Sequence, residues 1–168
     1  MKNQILRNLF CAVLALAVVA VLGVGHASAQ AETDGKFAEG AGRLDGTWNV
    51  ELTVRNCLTD APLRTLPELY TFMDGGTVMT STSGQAPSLR TAGQGTWKHI
   101  GNTDYSFTAK AFRFDAAGAF IGWFIFRQSI SLDWRASGFT SRGTLEIYDA
   151  AGNQTFSGCS TTVGERFE

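Results

Sequence analysis

Gly46-Thr47-Trp48-Asn49-Val50-Glu51-Leu52-Thr53-Val54-Arg55 is the stretch that decides the fold. Trp48, Val50, Leu52 and Val54 share one face of an extended chain, and Asn49, Glu51, Thr53 and Arg55 share the other. Successive side chains of a strand point to opposite faces, so strict alternation marks a strand with one face in a core and one in water. The rest of the chain follows the same pattern. After residue 43 no stretch carries a convincing amphipathic helical period, although a short helical turn is expected over 65–70.

Eight extended segments are expected, at 46–55, 68–73, 77–83, 95–100, 104–114, 120–132, 139–148 and 154–167. Turn chemistry separates them: Asp74-Gly75-Gly76, Gly101-Asn102, Asp115-Ala116-Ala117-Gly118, Ser137-Gly138 and Asp149-Ala150-Ala151-Gly152. Aspartate opens such turns through its side chain, and glycine accepts the positive φ that closes them. Short connections make neighbours antiparallel. An all-β, eight-stranded antiparallel up-and-down barrel follows, because closure is what removes the open edges.

Register supports closure. Facing Cys57 with Cys159 and facing Trp48 with Arg166 require antiparallel pairings of the first and last strands that agree within one pleat. A disulfide needs Cα atoms roughly 4.4–6.8 Å apart, which neighbouring strands supply. A Cys57–Cys159 bridge is therefore expected. Pairing Leu132 with Phe139 joins the apolar faces of the sixth and seventh segments. In the fifth, Tyr105, Phe107, Ala109 and Ala111 are expected inward, with the alanines leaving room. A bulge at the Asp-x-x-Gly turn would instead turn Phe112 and Phe114 inward.

The 168 residues are 44% hydrophobic and 17% charged, with a net charge of −1, so neither disorder nor an electrostatic footprint for nucleic acid is indicated. Lys2 and Arg7 precede an uncharged, mostly apolar run from Leu9 to Val24, and Ala27-Ser28-Ala29 is a small-x-small site. That order predicts a signal peptide over 1–29, cleaved after Ala29, then a flexible leader over 30–43 and a barrel domain over 44–168. The run is short for a membrane span, so no anchor is expected after cleavage. The expected location is secreted or periplasmic, in a bacterial setting, where two remaining cysteines pair.

Gly46-Thr47-Trp48 opening the first strand, with Arg166 in the last, resembles the calycin pattern of lipocalins, avidins and fatty-acid-binding proteins. The resemblance implies that Trp48 packs at the closed end of the barrel with Arg166 across its ring, a structural latch. Counterparts of the second and third lipocalin motifs, and of avidin's polar biotin-binding set, are not recognisable, so no family ligand is carried over. Allene-oxide-cyclase-like and dirigent-like barrels share the strand count. The overall pattern is also similar to that of secreted bacterial proteins.

Chemistry is sparse. With both cysteines paired, His99 is left without a metal set, and no local base–nucleophile arrangement appears. Asp74, Asp115 and Asp149 serve turns, while Glu51 and Glu146 have outward parity. No cofactor, metal or catalytic residue is expected. An enzyme resembling allene oxide cyclase would require an inward Glu or Arg, which this parity reading does not place. The leading expectation is a barrel that binds a small hydrophobic molecule through Tyr105, Phe107, Phe124, Phe126 and Gln128. The alternative is a protein-binding module, such as a periplasmic protease-inhibitor-like barrel. There Ile121, Trp123 and Ile125 form an outward stripe for a partner or a second copy, unless the leader or residues 58–69 cover it.

Overall fold

The computed structural model describes residues 43–167. The predicted signal peptide and all of the predicted leader except Arg43 lie outside the described residues. Eight strands follow in order: β1 (Gly46–Arg55), β2 (Pro62–Met73), β3 (Thr77–Thr82), β4 (Gly93–Gly101), β5 (Asp104–Phe114), β6 (Phe120–Leu132), β7 (Gly138–Asp149) and β8 (Gln154–Arg166). Each pairs with its sequence neighbours, and β1 also pairs with β8, giving a closed antiparallel barrel compatible with a calycin-like fold.

The register is the one that alternation dictates. Trp48 faces Arg166 across β1–β8, and Leu132 faces Phe139 across β6–β7. Tyr105, Phe107, Ala109 and Ala111 are buried, while Phe112 is exposed on the other face. The expected helical turn over 65–70 is corrected: these residues belong to β2. Leu66, Glu68, Tyr70 and Phe72 alternate inward, and burying that face outweighs the local sequence. Pro67 is tolerated because its missing N–H falls beyond the end of β3, where its carbonyl still accepts from Ser83 N at 3.1 Å.

The two Asp-Ala-Ala-Gly turns are built alike. Asp115 Oδ1 accepts from Ala117 N and Ala119 N, both at 2.9 Å. Asp149 Oδ1 accepts from Ala151 N at 2.9 Å and Asn153 N at 2.8 Å. A register shift adjoins each turn, at Arg113/Phe114 and at Ile147/Tyr148, so the bulges sit past the inward alternation and do not flip it.

One end of the barrel is sealed. Trp48 meets Phe139 edge-on with centroids 5.0 Å apart, and its Nε1–H donates to Leu44 O at 2.9 Å. Arg166 lies 4.3 Å from the Trp48 centroid. Its Nε donates to Ala136 O at 2.9 Å, and its Nη1 and Nη2 donate to Asp45 O and Arg43 O, both at 2.7 Å. Gly46 is required beneath it: φ is +120°, and a Cβ there would lie 2.8 Å from Arg166 Nη1. Phe72, Trp97, Tyr105 and Phe107 continue this packed region through edge-on and tilted ring contacts.

At the opposite end, a disulfide joins Cys57 to Cys159 with Cα atoms 5.0 Å apart and a sequence separation of 102. It ties the β1–β2 connection to β8. In the chain-entropy account a loop of this size contributes roughly 4–5 kcal/mol.

Candidate functional site

The disulfide end is where the barrel opens. A cavity of about 310 Å³ lies there, lined in part by Leu52, Leu66, Phe124, Phe126, Leu145 and Ile147. Its polar wall is Arg64, Glu68, Thr82, Gln85, Arg90 and Arg113. The volume sits at the lower bound of small-molecule pockets, roughly 300 Å³. An apolar body with a few convergent polar groups is the usual composition of such sites.

Alternation positions most of these groups. Phe124 and Phe126 are even-numbered inward positions of β6. Glu68 precedes Tyr70 and Phe72 on the inward face of β2. Arg113 continues Ala109 and Ala111 on the inward face of β5. Arg90 comes from the β3–β4 connection, which lies along the end of β5: Thr91 N donates to Phe112 O at 3.1 Å, and Phe114 N donates to Leu89 O at 2.9 Å. The result is an isolated antiparallel bridge that sets Arg90 directly opposite Arg113.

Inward Glu68 and Arg113 correct the parity reading, which placed no Glu or Arg inside. Extending each alternation by one step, from Tyr70 back to Glu68 and from Ala111 on to Arg113, is the signal that finds them. Arg90 has no comparable signal, because its direction depends on how a connecting segment docks.

The electrostatics are unusual for a barrel interior. Glu68 is 5% exposed and Arg90 is 8% exposed. Arg90 Nη1 stands 3.9 Å from Glu68 Oε1, an ion pair too long for a hydrogen bond. Burial pushes the Glu68 carboxyl above the usual range, against the pull of the Thr82 hydroxyl, Arg90 and the Tyr70 hydroxyl. Burial likewise lowers the pKa of Arg90, against the Glu68 charge. The Arg90 guanidinium lies 5.2 Å from the Phe124 centroid and 5.0 Å from that of Phe126. Arg113 lies 5.0 Å from the same Phe124 ring. Arg90 Nε, Arg90 Nη2, Arg113 Nε, Glu68 Oε1, Thr80 Oγ1 and Gln85 Oε1 are buried without hydrogen-bond partners among the described residues.

The sequence-predicted binding residues divide. Phe124 and Phe126 line the cavity. Tyr105 and Phe107 lie in the packed region, Tyr105 beside Trp97 and His99, and Phe107 beside Tyr70 and Phe72. Ala109 and Ala111 are buried but do not line the cavity. Gln128 is held by protein: its Nε2 donates to Ser160 Oγ at 2.6 Å, and its Oε1 accepts from Ser141 Oγ at 2.9 Å. Ser141 also bonds Thr162 at 2.6 Å, so a polar layer spans β6, β7 and β8 between Phe126 and Ile130.

The outward stripe is half-buried by its own neighbours. Trp123 stacks between Phe120 at 6.3 Å and Tyr148 at 5.6 Å, with Lys110 Nζ 4.1 Å from its ring. Ile125 faces Lys110 and Glu146, and Ile121 is also half-buried. Residues 62–69 belong to β2, so they form no loop over the stripe. His99 Nε2 donates to Asn102 O at 2.8 Å near the sealed end. Among the described residues, no group of three His, Cys, Asp or Glu is placed to hold a metal ion, and no helix is long and apolar enough to cross a membrane.

No protein-family model matches this chain, and no curated protein matches it.

Proposed function

We propose that the protein is an exported, calycin-like carrier that takes a small, largely hydrophobic molecule into the open end of its barrel. The observation that carries this reading is the cavity of about 310 Å³, with Phe124, Phe126, Leu145 and Ile147 on its apolar wall. The packed region below it supplies a rigid floor. Binding draws on burial of apolar ligand surface, worth about 25 cal/mol per Å² before the costs of association. The apolar run before Ala29 and the Cys57–Cys159 bridge support a secreted or periplasmic location.

Native mass spectrometry of protein purified from the export compartment tests the proposal. A reproducible mass excess, released by solvent extraction as a small apolar molecule, is the expected result. A clean apo mass, together with no uptake of an anilinonaphthalene sulfonate probe, refutes it.

A second reading, a protein-binding module, is favoured by the aromatic surface of Phe112, Phe120 and Trp123 outside the barrel, where Phe112 and Phe120 are exposed. Under that reading Trp123→Ser abolishes partner capture and leaves probe uptake intact.

A further inference from the structure

The polar wall of the cavity is out of balance. Arg90 and Arg113 are bridge partners, and directly opposed residues of an antiparallel pair project to the same face with Cβ atoms roughly 4.5–5.5 Å apart. Like charges in that position destabilise a sheet. Both guanidiniums also lie near one ring, that of Phe124, at 5.2 and 5.0 Å. Among the described residues Glu68 is the single carboxylate on this wall, and its cationic neighbour is Arg90, at 3.9 Å. Arg64 adds a third cation at the rim, where its Nη2 donates to Gly84 O at 3.0 Å.

The unpartnered atoms are specific. Arg90 turns Nη1 toward Glu68, and it is Nε and Nη2 that lack partners. Those two nitrogens form one edge of the guanidinium, with parallel N–H bonds that match the two oxygens of a carboxylate. On its bridge partner, Arg113 Nε is also unpartnered. A buried donor without an acceptor costs roughly 1–3 kcal/mol, more when it is charged. An anion that turned this edge toward itself would recover that cost and separate the two like charges.

From this geometry we infer that the ligand is an apolar monocarboxylic acid, its carboxylate taken by Arg90 and Arg113 and its hydrocarbon body laid along Phe124, Phe126, Leu145 and Ile147. A monoanion suits the wall because, behind the exposed rim residue Arg64, the two arginines Arg90 and Arg113 against Glu68 leave a single positive charge. The inference rests on the cavity reading above, and it names the ligand's chemistry.

Calorimetric titration of the disulfide-intact exported protein with decanoate, decanol and decyl phosphate separates the two claims. Decanoate is expected to bind at least tenfold more tightly than decanol. Arg90→Gln and Arg113→Gln are each expected to erase most of that preference, read as the ratio of decanoate to decanol affinity within each variant. Arg90→Lys, which keeps a positive charge but loses the fork, is expected to behave like Arg90→Gln. Arg113 is only partly buried at the end of β5, so its variant reports even where Arg90 variants fold poorly. Equal affinity for decanoate and decanol overturns the carboxylate site and leaves the cavity reading standing. Binding of none of the three overturns both. Tighter binding of decyl phosphate than of decanoate overturns the carboxylate assignment in favour of a phosphate.

Discussion

Arg166 and Arg90 both lie over aromatic rings inside the barrel, at opposite ends, and their surroundings differ in kind. Arg166 stacks on Trp48 and donates to three backbone carbonyls, those of Ala136, Asp45 and Arg43. Arg90 stacks on Phe124 and Phe126, leaves two nitrogens without acceptors, and stands opposite a second arginine. The same side chain is a fastener at one end and an unfinished contact at the other. A satisfied buried polar group specifies structure, whereas an unsatisfied one marks a place where stability is given up.

The comparison breaks most visibly at Trp48. Trp48→Ala removes the ring under Arg166 and opens a void beside Phe139 and Leu44, and a loss of roughly 3–5 kcal/mol is expected in urea unfolding. Replacing both cysteines, Cys57→Ser with Cys159→Ser, removes the staple at the open end. The expected loss is roughly 2–4 kcal/mol, and hydrogen exchange at residues 56–61 should rise first. A double variant as stable as the parent would show that the pairing of β1 with β8 holds this end unaided.

The two arginines themselves give the sharper contrast. Arg166→Met strands three carbonyls and is expected to cost about 1–3 kcal/mol. Glu68→Leu combined with Arg90→Met, which replaces the loose ion pair with apolar groups of similar size, is expected to leave stability unchanged or to raise it, as swaps of buried ion pairs often do. Equal losses from the two would erase the distinction drawn between the ends.

The smallest effect is in pH. Glu68 has a folded pKa raised by burial above its ordinary value of 4.5. A raised folded value means stability that is complete below about 4.5 and is lost as pH climbs through the folded value. Glu68→Gln should flatten that decline, so the variant gains on the parent as pH rises through this window. Thr82, Tyr70 and Arg90, which favour the charged form, keep the effect small. Parallel stability curves for the two proteins across the window would contradict the raised value.

Much of this architecture is legible in the sequence, and for a simple reason. A strand of period two with one buried face fixes its own register, since a slip of one residue would expose Trp48, Val50 and Leu52 together. The barrel, the disulfide and the inward face of β5 all follow from that constraint. The first half of β2 was not legible, because Pro67 and the charged Glu68 disguise an alternation whose inward member is itself ionisable. The site was legible in part. Phe124 and Phe126 could be placed by parity, but so could Tyr105, Phe107 and Gln128, and parity says which face a residue is on without saying how deep it lies. Depth depends on strand stagger around the closed barrel. Arg90 lay beyond reach altogether, because its direction is decided by hydrogen bonds between a connecting segment and β5 that no local pattern announces.

The latch has a geometric corollary. Because Arg166 holds the carbonyls of Arg43 and Asp45, the backbone enters and leaves the described barrel at one pole, and the cavity opens at the other. A tether attached near either of these two points therefore leaves the mouth facing away from it. Immobilised by its tail, the protein would present every cavity to the solution in the same orientation.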